Sequence, residues 1–250
     1  MTSPVPHSSA HPYTAPARPP VLSARALTKT YDATRALAGL SLDVRAGESL
    51  AIMGPSGGGK TTLLHCLAGI ITPDSGQVHL QQGGGTTDIA HLPDRERSAL
   101  RRTTFGFVFQ QGLLIPELTA LENVAVALML LGVDRPSAEH SAAQWLAALG
   151  LAGMEDRRLG QLSGGQVQRV AIARAQVSGA GVIFADEPTG ALDSGTSADV
   201  MDVLLASTVG TGKTLVVVTH DDDVARRCRR TVRLRDGLIV SDSLQSGAAA

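Results

Sequence analysis

Cysteine, net charge and long hydrophobic runs are all scarce in this chain of 250 residues. The two cysteines, Cys66 and Cys228, lie far apart without metal-ligand spacing, which argues against a disulfide framework and a cysteine zinc site. No stretch approaches the roughly 18–20 apolar residues that a membrane-spanning helix needs. The longest candidate, Val124 to Val133, fits a buried helix. We therefore expect reduced thiols in a protein that is soluble by itself and reaches a membrane only through a partner.

The chain has no large excess of either charge, because 22 basic residues nearly balance 23 acidic residues and leave a formal charge of −1. No global basic excess indicates a nucleic-acid partner, and none is predicted. Residues 1–20 are rich in Pro, Ser, Ala and His and contain neither periodicity nor the apolar core of a signal peptide. We expect them to form a disordered leader, and residues 244–250 to form a flexible tail.

Hydrophobic strands alternate with helical patterns along most of the remaining sequence. Two strands around a turn are predicted from Val21 to Val44, and the later strands are predicted at Ser49–Met53, Gln77–Leu80, Phe105–Phe109, Val182–Ala185, Leu215–Val218 and Val232–Leu234. This alternation predicts an α/β fold with a mostly parallel sheet covered on both faces. A helical pattern from Leu118 to about Leu151 indicates an inserted subdomain at about 111–162. Gln81 to Asp88, with three consecutive glycines, is expected to be a flexible excursion.

A glycine-rich loop, Gly54-Pro55-Ser56-Gly57-Gly58-Gly59-Lys60-Thr61, follows a predicted strand and opens a predicted helix. In that context the pattern is typical of a phosphate-binding loop. Glycines let the backbone wrap closely around phosphate oxygens, and the helix N-terminus favours the anion. Lys60 is predicted to reach the β- and γ-phosphates, and the Thr61 hydroxyl to ligate Mg²⁺. The alternative is a glycine-rich turn with an incidental lysine.

Two carboxylates, Asp186 and Glu187, end the apolar run that begins at Val182. A strand of this kind delivers both acids to the sheet edge where the glycine loop lies. Asp186 is predicted to hold Mg²⁺ through water, and Glu187 to polarise the attacking water as general base. The alternative is that the pair caps the next helix.

A second glycine-rich turn, Leu162-Ser163-Gly164-Gly165-Gln166, precedes another helix, which is expected to begin near Gln166. Its backbone N–H groups can face a phosphate that the first loop does not hold. We therefore expect an ATP site shared between two subunits.

In order along the chain, the glycine loop, Gln110, the Leu162–Gln166 turn, Asp186-Glu187, Ala191-Leu192-Asp193 and His220 resemble the nucleotide-binding subunits of ABC transporters. The resemblance extends from Leu22 to Asp242. It implies a P-loop ATPase over residues 21–243, with an N-terminal antiparallel β subdomain and an inserted α-helical subdomain. It also implies ATP and Mg²⁺ as cofactors, and a homodimer that sandwiches ATP.

The resemblance assigns a role to each matching residue. Tyr31 matches the aromatic that stacks on adenine, with a structural tyrosine as the alternative. The catalytic set is Lys60, Gln110, Glu187 and His220, and the magnesium set is Thr61, Gln110 and Asp186. The residues implied to contact nucleotide are Tyr31, Gly54, Pro55, Ser56, Gly57, Gly58, Gly59, Lys60, Thr61, Thr62, Gln110, Ser163, Gly164, Gly165, Gln166, Asp193 and His220. Ser163 to Gln166 would serve the opposite subunit, and Asp193 would communicate across the interface.

The segment from Asp186 to Ser194 is similar to the branch that serves macrolide exporters and lipoprotein-release complexes. The implied partner is a transmembrane permease, with the ATPase peripheral on the inner face of the cell membrane. The permease groove is predicted at Gln110 to Pro116 and the following helix, with Leu113, Leu114 and Ile115 as its apolar floor or, alternatively, as core residues. A charged Leu114 is predicted to abolish membrane recruitment and spare ATPase activity.

Two other functions use the same motifs. A soluble ATPase of DNA repair or translation would carry a coiled-coil or zinc insertion, or a second cassette, and this sequence contains neither. A regulatory ATPase that controls cell-wall enzymes through a permease-like partner would have the same motifs as a transporter subunit.

Overall fold

Two β-sheets and the helices that cover them make up the computed structural model, which describes residues 20–110 and 113–246. The strands are Pro20–Tyr31 (β1), Thr34–Arg45 (β2), Ser49–Met53 (β3), Ser75–Gln82 (β4), Gly85–Asp88 (β5), Phe105–Phe109 (β6), Val182–Asp186 (β7), Thr214–Val218 (β8), Arg230–Arg235 (β9) and Leu238–Asp242 (β10). The α-helices are Lys60–Leu67 (α1), Asp94–Thr103 (α2), Ala120–Met129 (α3), Arg135–Ala148 (α4), Gly164–Val177 (α5), Ser194–Thr208 (α6), Asp222–Arg226 (α7) and Ser243–Ser246 (α8). Short 3-10 turns lie at Ile89–His91, Leu159–Gln161 and Val209–Thr211.

The larger sheet has the strand order β10-β9-β3-β8-β7-β6. Neighbouring strands of this sheet pair in parallel, except that β10 lies antiparallel to β9 at one edge. Every residue of β3 and β8 is buried, as expected for central strands covered on both faces. Val216 and Val218 enter one core, and Leu215 and Val217 enter the other. The prediction of a mostly parallel α/β sheet is confirmed.

The smaller sheet is antiparallel, with the order β2-β1-β4-β5, and it covers one face of the larger sheet. The alternation along β2 buries Leu40, Leu42 and Val44 and turns the intervening residues outward. The flexible excursion predicted from Gln81 to Asp88 is wrong, because β4 and β5 pair there as a hairpin. Gly83 and Gly84 both have positive φ, at 60° and 81°, which suits a two-residue hairpin turn between paired strands.

Helices α3 and α4 form the inserted subdomain and pack with α5 around the second core. The helical pattern predicted from Leu118 to Leu151 divides into these two helices at Gly132, whose φ is +87°. The expectation that Val124 to Val133 forms a buried helix is wrong in its second half. There α3 ends, and Met129 and Leu130 are exposed.

Helix α2 and strand β10 have no counterpart in the sequence-based prediction. No residue of α2 is fully buried, so the helix lacks the apolar stripe that marks most helices. Acidic Asp94 and Glu96 lie in its first turn and Arg101 and Arg102 in its last, an arrangement that favours the helix dipole. The Arg101 guanidinium also donates to the carbonyl of Gly69, 2.6 Å away, and ties α2 to the end of α1.

The boundary between the helices and the sheet is held by a polar cluster. The Lys213 ammonium lies 5.4 Å from the centroid of the Trp145 ring in α4 and donates to Oε1 of Gln176 in α5 at 2.6 Å. Gln176 is fully buried and donates to Thr208 of α6 at 2.8 Å. One lysine at the start of β8 therefore joins both helices to the core.

A buried ion cluster lies at the β10 edge of the larger sheet. Arg230 of β9 pairs with Asp242 of β10 at 2.7 Å and with Glu48 at 3.2 Å, and it donates to the carbonyl of Asp43 at 2.7 Å. The side chains of Arg230, Asp242 and Glu48 are all buried. The cluster connects β9 and β10 to the turn between β2 and β3.

The predicted leader lies outside the described residues except for Pro20, which begins β1. Of the predicted tail, Leu244 to Ser246 belong to α8, and residues 247–250 lie outside the described part. Among residues 20–110 and 113–246, no helix is both long enough and apolar enough to cross a membrane.

Candidate nucleotide site

The glycine loop joins the carboxyl end of β3 to α1, at the edge of the sheet where β7 and β8 also end. Two of its glycines have no room for a side chain. A Cβ at Gly54 would lie 2.2 Å from the carbonyl oxygen of Leu234, and one at Gly59 would lie 2.1 Å from that of Ala36. Both positions have positive φ, at +147° and +93°. The loop is thus packed tightly between β9 and β2.

Lys60, the first residue of α1, is folded back over the loop and is almost fully buried. Its ammonium donates to the carbonyl oxygens of Gly54 and Pro55, each at 2.9 Å. The charge therefore lies at the mouth of the loop. The free backbone N–H groups of the first turn of α1 lie beside it, which together make an anion site.

Oxygen ligands gather beside this loop. The hydroxyl of Thr61 lies 3.3 Å from Oδ1 of Asp186, the last residue of β7. Burial raises the pKa of the Asp186 carboxyl above its ordinary value, although the Thr61 hydrogen bond opposes that shift. With Gln110, these residues supply a hydroxyl, a carboxylate and an amide oxygen, the donor types that Mg²⁺ prefers. The donor set therefore fits a magnesium ion.

Glu187 follows Asp186 in a strained backbone conformation, with φ at +48°. Its N–H donates to the carbonyl of Val218 at 2.9 Å, and its own carbonyl accepts from the N–H of Gly190 at 3.1 Å. Its carboxylate oxygen Oε1 lies 2.9 Å from Nδ1 of His220. Since a carboxylate only accepts, the imidazole Nδ1–H donates. The structure thus brings these two predicted site residues into direct contact.

Gln110 lies at the end of β6, where Phe109 pairs with Asp186 of β7. A cleft of about 280 Å³ opens here. Its lining residues are Thr61, Phe109, Gln110, Leu113, Asp186 and Glu187. A Cβ on Gly190 would come within 2.9 Å of Nε2 of Gln110, so the turn after Glu187 packs against that side chain.

Helix α5 holds the backbone on both sides of the Gln110 segment. The buried Gln168 donates from Nε2 to the carbonyl of Phe109 at 3.0 Å, and Arg174 donates to the carbonyl of Leu113 at 2.7 Å. These two contacts were not anticipated from the sequence. The available signal was the presence of polar residues on the apolar stretch of α5.

The second glycine-rich turn begins α5, two residues earlier than predicted. Ser163 is the N-cap, and its Oγ accepts from the N–H of Gln166 at 3.3 Å. In turn, Oε1 of the Gln166 side chain accepts from the N–H of Ser163 at 2.9 Å. A Cβ on Gly165 would lie 2.5 Å from Thr196, so this glycine also allows α5 to approach α6.

Asp193 caps the N-terminus of α6. Its two carboxylate oxygens accept from the N–H and the hydroxyl of Thr196 at 3.0 and 2.7 Å. These hydrogen bonds hold the pKa of the Asp193 carboxyl below its ordinary value. Over the described residues, the lining of the cleft beside the glycine loop includes neither Asp193 nor Ser163 to Gln166.

The segment after Gln110 presents its apolar residues in two directions. Leu114 is only 8% exposed and belongs to the second core, whereas Leu113 and Ile115 are 61% and 43% exposed. The buried Asn123 fixes this arrangement, because its side chain bonds both the N–H and the carbonyl of Ile115. The prediction that Leu114 belongs to an exposed groove is therefore wrong, and the alternative of core packing holds for that residue.

Comparison with known proteins identifies the family. Residues 37–190 match the family model described as ABC transporter. The chain is 42% identical over 236 residues to the macrolide export ATP-binding/permease protein MacB of Hyphomonas neptunium, covering 93% of this chain and 36% of the relative. It is 44% identical over 229 residues to the pyoverdine export ATP-binding/permease protein PvdT of Pseudomonas aeruginosa, and the match covers 90% of this chain and 34% of that relative. The chain thus spans about a third of the length of these relatives.

A solved structure supports the same conclusion. The ATP-binding cassette MJ0796, in a dimeric post-hydrolysis state bound to ADP and Pi, superposes with a TM-score of 0.79. That cassette is 39% identical, and the match covers 88% of this chain and 97% of the cassette. The predicted P-loop fold and the predicted family are confirmed. The chain belongs to the ABC transporter family, as an ATP-binding cassette ATPase.

Proposed function

We propose that two copies of this chain bind ATP between them, hydrolyse it, and so drive a membrane permease in export or mechanotransmission. The observation that carries the catalytic part is the contact between Glu187 and His220 at the mouth of the cleft that Thr61 and Asp186 line. A carboxylate fixed in a strained turn beside a phosphate-binding loop is placed to activate water.

In the proposed reaction, the glycine loop, Lys60 and the first turn of α1 hold the β- and γ-phosphates. Glu187 accepts a proton from a water molecule as the water oxygen bonds to the γ-phosphorus. The bond between that phosphorus and the β–γ bridging oxygen breaks, which yields ADP and inorganic phosphate. His220 holds Glu187 in position and contacts the γ-phosphate. Thr61, Asp186 and Gln110 would hold Mg²⁺, which neutralises charge on the phosphate oxygens when bound.

The proposed dimer rests on the second glycine-rich turn. Ser163 to Gln166 start a fourteen-residue helix whose N-terminus is an anion site, yet they do not line the cleft beside their own phosphate loop. In a head-to-tail dimer this turn would complete the partner's site. The similar cassette MJ0796 is dimeric, which supports this arrangement.

The proposed permease partner rests on the relatives and on one surface. The similar proteins are named ATP-binding/permease proteins, and this chain matches about a third of each. Leu113 and Ile115 are exposed beside Gln110, and Met129 and Leu130 are exposed at the end of α3. Leu113 also has a positive φ of 45°, an uncommon conformation for such a residue. We assign this surface to the permease, which would hold the ATPase at the inner face of the cell membrane.

A Glu187→Gln variant tests the catalytic proposal. It should lower the rate of phosphate release by about 10²–10⁴-fold, since the amide cannot accept the proton from water. Without hydrolysis, ATP should trap the dimer, visible as a shift in size-exclusion chromatography that ADP does not produce. The matched control is Glu139→Gln, in an exposed pair with Arg135 on α4, which should leave turnover unchanged. Normal turnover of Glu187→Gln would remove Glu187 from the mechanism.

A further inference from the structure

Tyr31, the last residue of β1, has a charged neighbour on its ring. The Lys29 ammonium lies 5.7 Å from the ring centroid, within cation–π range. Residues two apart on a strand share a face, so these two side chains lie side by side. Tyr31 is 43% exposed, and the ring therefore presents surface to a ligand.

Lys29 is itself fixed by Asp74. The Lys29 ammonium donates to Oδ1 of Asp74 at 2.8 Å, and the N–H of Thr30 donates to Oδ2 at 2.7 Å. The N–H of Asp74 in turn donates to the carbonyl of Thr28 at 2.8 Å. The Lys29 side chain is only 18% exposed, unlike that of an ordinary surface lysine. Three consecutive residues of β1 are thus bonded to one aspartate.

The pairing of β1 with β2 connects this cluster to the phosphate loop. Tyr31 pairs with Thr34 of β2, and a Cβ on Gly59 of that loop would lie 2.1 Å from the carbonyl oxygen of Ala36, two residues further along β2. The hydrogen bond with Asp74 raises the pKa of Lys29, and the same bond lowers the pKa of the Asp74 carboxyl. Both groups are therefore charged near neutral pH. The cluster therefore lies at the end of the β1–β2 strand pair, beside the strand that packs against the phosphate loop.

We infer that Lys29 is a positioning residue for purine binding, which holds one face of Tyr31 and leaves the other face to stack on the base, and that Asp74 holds Lys29 in place. The inference rests on the proposed ATP site and adds a determinant of base recognition to it. The cation fixes the ring before the nucleotide arrives, so less freedom is lost on binding.

Calorimetric titration of the full chain with ADP and with inorganic pyrophosphate tests the inference. Neither ligand is hydrolysed at the γ-position, and pyrophosphate lacks the base. Lys29→Met should weaken ADP binding about two- to fivefold and leave pyrophosphate binding unchanged. Lys29→Arg, which retains the charge, should restore ADP binding, and Asp74→Asn should behave like Lys29→Met. Lys213→Met is the matched control, since it removes a cation–π contact with Trp145 in a different part of the fold.

Each outcome separates the two proposals. If Tyr31→Ala binds ADP as tightly as the unaltered chain, the proposed base site is wrong, and the proposed role of Lys29 is wrong as well. If Tyr31→Ala weakens ADP binding but Lys29→Met does not, only the inference about Lys29 is overturned. Equal weakening of ADP and pyrophosphate by Lys29→Met would also overturn it, because that result indicates general disruption of the loop.

Discussion

His220 and Glu187 are joined by a hydrogen bond of 2.9 Å between Nδ1 and Oε1, although 33 residues separate them in sequence. The parallel pairing of β7 with β8 produces this contact, since Asp186 lies opposite Val218 and each strand is followed by one member of the pair. The carboxylate is thus oriented by the neighbouring strand and not by its own turn alone.

We predict that His220→Ala lowers the turnover number by about 10- to 100-fold, the range expected for losing one hydrogen bond to a charged group. Steady-state phosphate release measures the effect. His91→Ala is the matched control, because His91 makes a similar contact with Asp88 at 2.7 Å on the exposed surface of the smaller sheet. Equal losses in the two variants would show that the His220 contact has no special part in turnover.

The two neighbours Leu114 and Ile115 should respond oppositely to charge. Leu114→Asp places a charge in the second core and should lower the free energy of unfolding by several kcal/mol, measured by urea denaturation. Ile115→Glu, at a residue that is 43% exposed, should leave stability and ATPase activity unchanged, yet reduce recovery of the chain with the membrane fraction of its host cells. Val240→Glu, at an exposed apolar residue of β10, is the control for added surface charge. Full membrane recovery of Ile115→Glu would argue against the assigned permease surface.

The buried cluster around Arg230 predicts an acid-dependent loss of stability. Burial of Asp242 opposes ionisation, but the Arg230 guanidinium prevails and holds the pKa of that carboxyl below its ordinary value. A depressed folded-state pKa stabilises the protein above the unfolded pKa of about 4, and the contribution is lost as pH falls through the folded value. Asp242→Asn should therefore cost about 1–3 kcal/mol at neutral pH, and the difference should shrink below about pH 4.

Urea denaturation of both proteins between pH 3 and pH 7 measures this difference. Glu139→Gln, in an exposed pair, should change stability by less than about 1 kcal/mol over the same range. A constant difference between Asp242→Asn and the unaltered chain across the whole range would contradict the assigned ionisation.

The sequence predicted elements well where burial alone decides them. Ser49–Met53 and Phe105–Phe109 are apolar runs between turn residues, and the structure has the same bounds. Strand β4 was predicted in part, at Gln77–Leu80, but its partner β5 was missed because the polar, mostly exposed residues of β5 carry no apolar signal, although Gly83-Gly84 is a turn signal. Helix α2 was missed for the same reason.

For the candidate site, too, the sequence predicted some features and not others. Its residues follow strands and precede helices, so their motifs are enough to place them at one edge of the sheet. The contacts of Gln168 with Phe109 and of Arg174 with Leu113 join residues about 60 positions apart, and only tertiary packing brings them together. The burial of Leu114 between two exposed neighbours likewise depends on Asn123, which a local pattern cannot reveal.

Trp145 is the only tryptophan of the chain, and the Lys213 ammonium lies over its ring at the joint between the inserted helices and the core. Nearly all near-ultraviolet emission of the protein therefore originates at that joint. A rotation of the helices against the sheet would separate the charge from the ring and change the emission. The fold thus contains its own optical reporter, able to follow subdomain motion during a nucleotide cycle without an attached dye.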